Sequence, residues 1–136
     1  MRSFLDTNIL VYADAGDEPA KQARAVQLIS HERLAGTGVL STQVLQEYAN
    51  VALRKLGLPP PLIRERLAFY AKFEVVVTSP SLICEALDLH VLRGTTFYDA
   101  LIVQAASAAG CARLLSEDMQ DGMTFGGLRV VNPFRI

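Results

Sequence analysis

Phe4-Leu5-Asp6-Thr7-Asn8-Ile9-Leu10-Val11-Tyr12-Ala13, FLDTNILVYA in one-letter code, changes its hydrophobic period in the middle. Phe4 and Leu5 form an apolar run that stops at a carboxylate. From Ile9 the apolar positions resume with a different period. A strand that runs straight into a helix is the opening of a β–α unit. Asp6 at that junction has two readings. One is a cap for the following helix, worth about 1 kcal/mol. The other is a metal site at the carboxyl end of a parallel strand, where α/β sheets bind their ligands.

The rest of the chain repeats the alternation. After a strand at 2–5 and a short helix at 8–14, an amphipathic helix is expected over 18–35, with Pro19 in its first turn. GTGVLST (36–42) holds a glycine-punctuated turn and a brief strand around Val39–Leu40. TQVLQEYANVALRKLG (42–57) reads as a helix from a Thr42 cap to a Gly57 stop, with Arg54 and Lys55 in its last turn. A further helix follows the prolines at 59–61. EVVVTSP (74–80) is a β-branched run expected to be a strand buried on both faces. Helices over 81–92 and 95–110, then strands in ARLLSE (112–117) and LRVVNPF (128–134), complete the pattern. Strands separated by helices pair in parallel through right-handed crossovers. The expected fold is α/β, a three-layer α/β/α sandwich with a central parallel sheet of four or five short strands, forming one domain over 1–136.

Composition narrows the function. The chain has 136 residues, is 51% hydrophobic and carries a net charge of −1, with a pI of about 6.1. That charge excludes gripping nucleic acid by bulk positive potential, while allowing a local basic strip. Cys84 and Cys111 are too few and too scattered for a disulfide framework or a zinc site, and read as buried small apolar residues of a reducing compartment. No stretch approaches the ~20 apolar residues of a membrane span, and Asp6 interrupts any signal-peptide core. A soluble cytoplasmic protein is expected, with no membrane partner.

Four carboxylates fall at comparable places. Asp6 and Asp118 follow strands, Asp99 sits in the first turn of a helix, and Glu47 sits mid-helix. Each has a structural explanation: Asp6 as a cap, Asp99 with Thr96 as a T-x-x-D capping pattern, and Asp118 and Asp121 as turn residues in SEDMQDG. Glu47 lies one helical turn from both Val44 and Val51, a stripe that reads as core-facing, where an unpaired carboxylate is expensive. Taken together, acids at strand ends and helix starts make a cation site. Carboxylate oxygens suit Mg²⁺ or Mn²⁺, and neither His31 nor His90 has a zinc-like spacing. With no serine–histidine or cysteine–histidine pairing, a metal-activated water is the expected nucleophile.

FLDTNILVYA, STQVLQEYANV (41–51), TFYDALIVQAA (96–106) and LLSEDMQDG (114–122) before LRVVNPF occur in an order that resembles the PIN-domain ribonucleases, and more narrowly the VapC-type toxins of bacterial toxin–antitoxin pairs. The resemblance spans nearly the whole chain. It implies a parallel-sheet α/β/α sandwich and a metal-dependent endoribonuclease that cuts tRNA or rRNA and stops translation. It also implies a homodimer and a cognate antitoxin partner. By the same resemblance Asp6, Glu47, Asp99 and Asp118 are the catalytic, metal-binding acids, with Asn8 and Ser116 supporting them. The chain departs from the family where many relatives have a T-x-D or T-x-N turn. Here the residues are Ser116-Glu117-Asp118, and Asp121 shares or replaces the role of Asp118 as an alternative.

The chemistry that follows is hydrolysis of an RNA phosphodiester to a 5′-phosphate and a 3′-hydroxyl, without the ribose 2′-hydroxyl as nucleophile. Arg54, Lys55 and Arg93 are the cations placed to hold RNA, against an alternative of solvation or helix C-terminal contacts. Two rival functions are a PIN-fold binding module without catalysis and a haloacid dehalogenase-like phosphatase. The second requires D-x-D after strand one, and Asn8 occupies its second position.

Overall fold

The computed structural model describes residues 1–135. The elements run β1 (Ser3–Leu5), α1 (Thr7–Ala13), α2 (Pro19–Ala35), β2 (Gly38–Ser41), α3 (Thr42–Arg54), α4 (Pro60–Tyr70), β3 (Glu74–Val76), α5 (Pro80–Arg93), α6 (Phe97–Ala108), β4 (Arg113–Leu115), β5 (Thr124–Phe125) and β6 (Leu128–Val131). The sheet order is β3-β2-β1-β4-β6-β5. The five expected strands pair in parallel, and the two-residue β5 adds an antiparallel edge to β6.

This order explains the layering. From β1 the chain steps to β2 and then β3 on one side, and then returns past β1 to β4 on the other. Right-handed crossovers put the helices of the first leg on one face and those of the second leg on the opposite face. Accordingly α1 packs on α2 and α3, α3 on α4, and α5 on α6. The direction of winding reverses between β1 and β4, so the crevice at their carboxyl ends is the topological switch point. Asp6 and Ser116 are the first residues beyond those two ends.

The core is apolar on both faces of the central strands. Phe4, Leu5, Val39, Leu40, Leu114 and Leu115 are buried, with Ile9, Leu10, Val44 and Tyr48 of the helices packed against them. At three places the sequence expectation is corrected. Ser41, not Thr42, caps α3, its Oγ accepting from the Val44 N–H at 3.3 Å, while Thr42 instead accepts from the Thr78 N–H at 3.1 Å. The strand over 74–76 is a sheet edge, not a buried centre, and Val77 beyond it is 67% exposed. β-Branched residues fit any pleated surface, so the run marks a strand without fixing its depth. Cys111 is buried as expected, but Cys84 lies exposed on α5.

Gly38 marks the closest approach of β2 to its cover. A Cβ there would stand 2.6 Å from the Phe73 ring and 3.1 Å from Glu32 Cβ. Gly38→Ala is expected to lower stability by about 1–3 kcal/mol through overpacking, measured as a shift of the urea midpoint at unchanged slope. An unchanged midpoint would show that the Phe73 ring swings away freely.

Candidate active site

Asp6 ends β1 and caps α1. Its backbone is extended (φ −73°, ψ 163°), its N–H donates to Leu115 O at 3.0 Å, and its Oδ1 accepts from the Thr7 N–H at 2.7 Å. The other oxygen, Oδ2, accepts from Ser116 Oγ at 2.7 Å. Ser116 is itself fully buried, and its Oγ also accepts from the backbone N–H groups of Asp118 (3.3 Å) and Met119 (3.4 Å). One hydroxyl therefore joins the end of β1 to the loop after β4.

The Asp6 carboxylate is buried with one donor for each oxygen. Burial pushes its pKa up to about 6; the Ser116 and Thr7 donors pull it down, and the negative charges of Asp118 and Glu47 push it up again. Glu47 and Asp118 line one cleft of about 770 Å³ with Thr7, Asn8, Tyr12 and Lys55. Thr7 Oγ1 donates to Glu47 Oε1 at 3.2 Å. Glu47 is exposed, which corrects the core-facing expectation. The buried stripe of α3 runs through Val44, Tyr48 and Ala52, and Glu47 sits about 100° around the helix from Tyr48, on the cleft rim.

Two of the four expected acids, Glu47 and Asp118, thus share the cleft and act on a third, Asp6. Asp99 is in the first turn of α6, where its N–H donates to Thr96 Oγ1 at 3.1 Å, and it is not among the residues that line that cleft. The Gln43 side-chain amide donates to Tyr98 O at 3.3 Å and ties that turn to the start of α3. Among the described residues, no three acidic, histidine or cysteine side chains stand close enough together to hold an ion between them. The donor set nevertheless fits a hard divalent cation. It is all carboxylate oxygen, it includes one carboxylate raised toward neutrality by burial and then by two neighbouring acids, and beside it both amide atoms of Asn8 are buried without a hydrogen-bond partner.

The structure separates the remaining candidates. Asp121 is committed elsewhere: it accepts from the Asn132 N–H at 2.8 Å and from Arg135 at 3.3 Å, and the Asn132 bond leads in holding its pKa below the ordinary range. Asp118, whose N–H is held by Ser116, is the acid facing the cleft. Lys55 lines the cleft, while Arg54 is exposed outside its lining. Arg93 stacks 4.5 Å from the Phe125 ring and donates to Thr124 O at 3.0 Å, so it serves the β5 edge. Sequence reasoning missed Thr7, the donor to Glu47, although its place beside Asp6 in the opening motif marked it, and it missed Tyr12 on the cleft wall.

The chain belongs to the PIN-domain family, which its residues 3–120 match. No curated protein matches it. Among solved structures, a toxin–antitoxin complex from Klebsiella pneumoniae is similar at a TM-score of 0.72 and 18% identity, over 98% of this chain and 99% of that one. VapC20 of Mycobacterium tuberculosis, a toxin that cleaves the sarcin–ricin loop, gives 0.69 and 18% over 85% and 91%. VapBC2 from Rickettsia felis, bound to a DNA fragment from its promoter, gives 0.65 and 20% over 96% and 97%. The fold is the one these toxins share.

The raised pKa of Asp6 has a stability consequence with a definite sign. Below the ordinary value of 3.8 the group is protonated in both folded and unfolded chains and costs nothing. As pH rises from there to about 6, the unfolded chain ionises first and stability is lost. Above that the penalty is constant, up to ~3 kcal/mol at ~1.4 kcal/mol per tenfold change in proton affinity. Asp6→Asn removes it and loses ~1 kcal/mol by facing a donor with a donor. In chelator the variant is therefore expected to be the more stable at pH 7.5 and the less stable at pH 3.5, by urea unfolding. A gap of constant sign would contradict the assignment.

Proposed function

We propose that this chain, acting as one PIN domain over residues 1–136, is a divalent-metal-dependent endoribonuclease and the toxin of a toxin–antitoxin pair. The observation that carries the reading is that Glu47 and Asp118 line one cleft and both act on the buried carboxylate of Asp6, at the carboxyl end of β1. Membership of the PIN family supports it, as do neighbours described as a toxin that cleaves the sarcin–ricin loop and as toxin–antitoxin complexes. The mutual repulsion of these acids argues against a purely structural cleft.

In this reading Asp6, Asp118 and Asp99 hold Mg²⁺ or Mn²⁺, and Glu47 holds a further ion or the attacking water. A bound ion of this kind supplies Lewis-acid stabilisation to the ionising water and the phosphate. The protein's own work is positional. Ser116 and the Thr7 N–H fix both oxygens of Asp6, Thr7 Oγ1 aims Glu47, and Asn8 offers an unsatisfied amide to the same space. Lys55 is the cation on the cleft wall that would meet an RNA phosphate. The rRNA or tRNA target and the block of translation belong to this proposal, as does a cognate antitoxin.

A homodimer belongs to it as well. On α4, Ile63 and Tyr70 are buried and so do not form an exposed apolar face. The exposed apolar stripe is on α5, where Ile83, Leu87 and Val91 follow at four-residue intervals, with exposures of 42%, 53% and 76%. Leu87→Lys is expected to convert a dimer to a monomer in sedimentation without lowering the helix signal. An unchanged sedimentation coefficient would place the interface elsewhere.

The decisive assay incubates the protein with total RNA and with a generic phosphate ester, in Mn²⁺ and in chelator. RNA cleavage that requires metal and leaves 5′-phosphate ends is expected. Asp6→Asn, Asp99→Asn and Glu47→Gln should each lose ~100-fold or more, the upper range for groups that support a metal site, with unchanged circular dichroism. A 2′,3′-cyclic phosphate product would rule out the hydrolysis proposed. Ester cleavage alone would favour the phosphatase reading, and neither activity the non-catalytic module.

A further inference from the structure

Glu117 lies between Ser116 and Asp118, and its side chain makes contacts that the reaction above does not use. The Tyr12 hydroxyl, from α1, donates to Glu117 Oε2 at 2.6 Å. The Lys21 ammonium, from α2, donates to Glu117 Oε1 and lies within 3.3 Å of the Tyr12 hydroxyl. The same ammonium sits 4.8 Å from the centre of the Tyr12 ring and 5.8 Å from that of Phe134, which meet edge to face at 5.1 Å. Both members of the ion pair are partly shielded, with side-chain exposures of 31% and 24%. A cation boxed by two rings and bound to a carboxylate is a much firmer contact than a free surface pair.

The placement of this cluster gives it meaning. The Asp118 carboxylate accepts no hydrogen bond from the described residues, so its position follows from the backbone that carries it. That backbone is held on one side by Ser116 Oγ, which takes the Asp118 and Met119 N–H groups. On the other side it is held by Glu117. Beyond Met119 the loop between β4 and β5 is tied to β6 and the residues after it, through Gly122 N–H to Val130 O and Asn132 N–H to Asp121, so Glu117 is the side-chain hold that links the segment next to Asp118 to α1 and α2.

We propose that Glu117, clamped by Lys21 and Tyr12, is a positioning residue that fixes the loop presenting Asp118 to the cleft. This rests on the nuclease reading for its effect on rate, but not for its effect on the loop. The clamp joins residues 96 and 105 positions apart in the chain, so α1, α2 and the β4–β5 loop become one unit around the acids.

Three variants test it. Glu117→Gln keeps an acceptor for Tyr12 and removes the charge that Lys21 meets. Lys21→Met keeps an apolar stem on the rings and removes the ammonium. Lys21→Arg keeps the charge. Amide hydrogen exchange over residues 117–121 is read alongside RNA cleavage and calorimetric Mn²⁺ binding. Each of the first two is expected to speed exchange in that loop ~tenfold and to lower kcat ~tenfold with KM within twofold, because the acid is displaced rather than removed. The double variant should be no worse than the worse single one, and Lys21→Arg should retain most of the wild-type rate. Unchanged loop exchange would overturn the clamp, as would additive losses or a fall in kcat matched by a general loss of stability. If the wild type neither cuts RNA nor binds Mn²⁺, the nuclease reading fails, and the exchange measurement still decides the clamp.

Discussion

The hydrogen bond from Ser116 Oγ to Asp6 Oδ2 is the joint on which the cleft is built. It sits where the winding of the sheet reverses, and it joins the carboxyl ends of two neighbouring strands, β1 and β4. It also makes a buried carboxylate tolerable. A lone ionised carboxylate at this depth would be too costly to keep. With one donor to each oxygen Asp6 can ionise, but burial and two neighbouring acids leave its proton affinity raised. The site is thus short of positive charge.

The surroundings of the joint sort the chain's charges by task. Asp14, next along the cleft wall, accepts from the Tyr48 hydroxyl at 2.5 Å and from Arg66 at 3.0 Å, so that acid is already compensated. Glu117 is compensated by Lys21, and Asp121 by Arg135 and a backbone N–H. Of the acids near the crevice, Asp6, Glu47 and Asp118 form no ion pair with any described residue. A near-neutral protein can keep these three acids uncompensated in this way, because Arg66, Lys21 and Arg135 are paired with Asp14, Glu117 and Asp121 instead.

Much of this was legible in the sequence. Alternating strand and helix periods predicted the parallel sheet, and a carboxylate directly after the first strand located the crevice, because strand ends and sheet winding are local and topological properties. Asp118 followed from the same logic at β4, and Ser116 from the resemblance to the PIN family. Glu47 was legible as a candidate but not in its depth, since its spacing from Val44 and Val51 read as core-facing and the structure exposes it on the cleft. The edge position of β3 and the two-residue β5 depend on which strands pair, which composition does not encode. The Glu117–Lys21–Tyr12 cluster was invisible, because its members lie on three separate elements and each reads singly as an ordinary surface residue.

The central claim is that Asp6 is a carboxylate held ready for a cation, and its own titration tests this most directly. With the carboxyl carbon followed by NMR, the midpoint is expected at about 6 in chelator. In saturating Mg²⁺ it should fall below the ordinary 3.8, because a bound cation favours the ionised form. A midpoint near 3.8 in chelator that does not respond to Mg²⁺ would contradict the account.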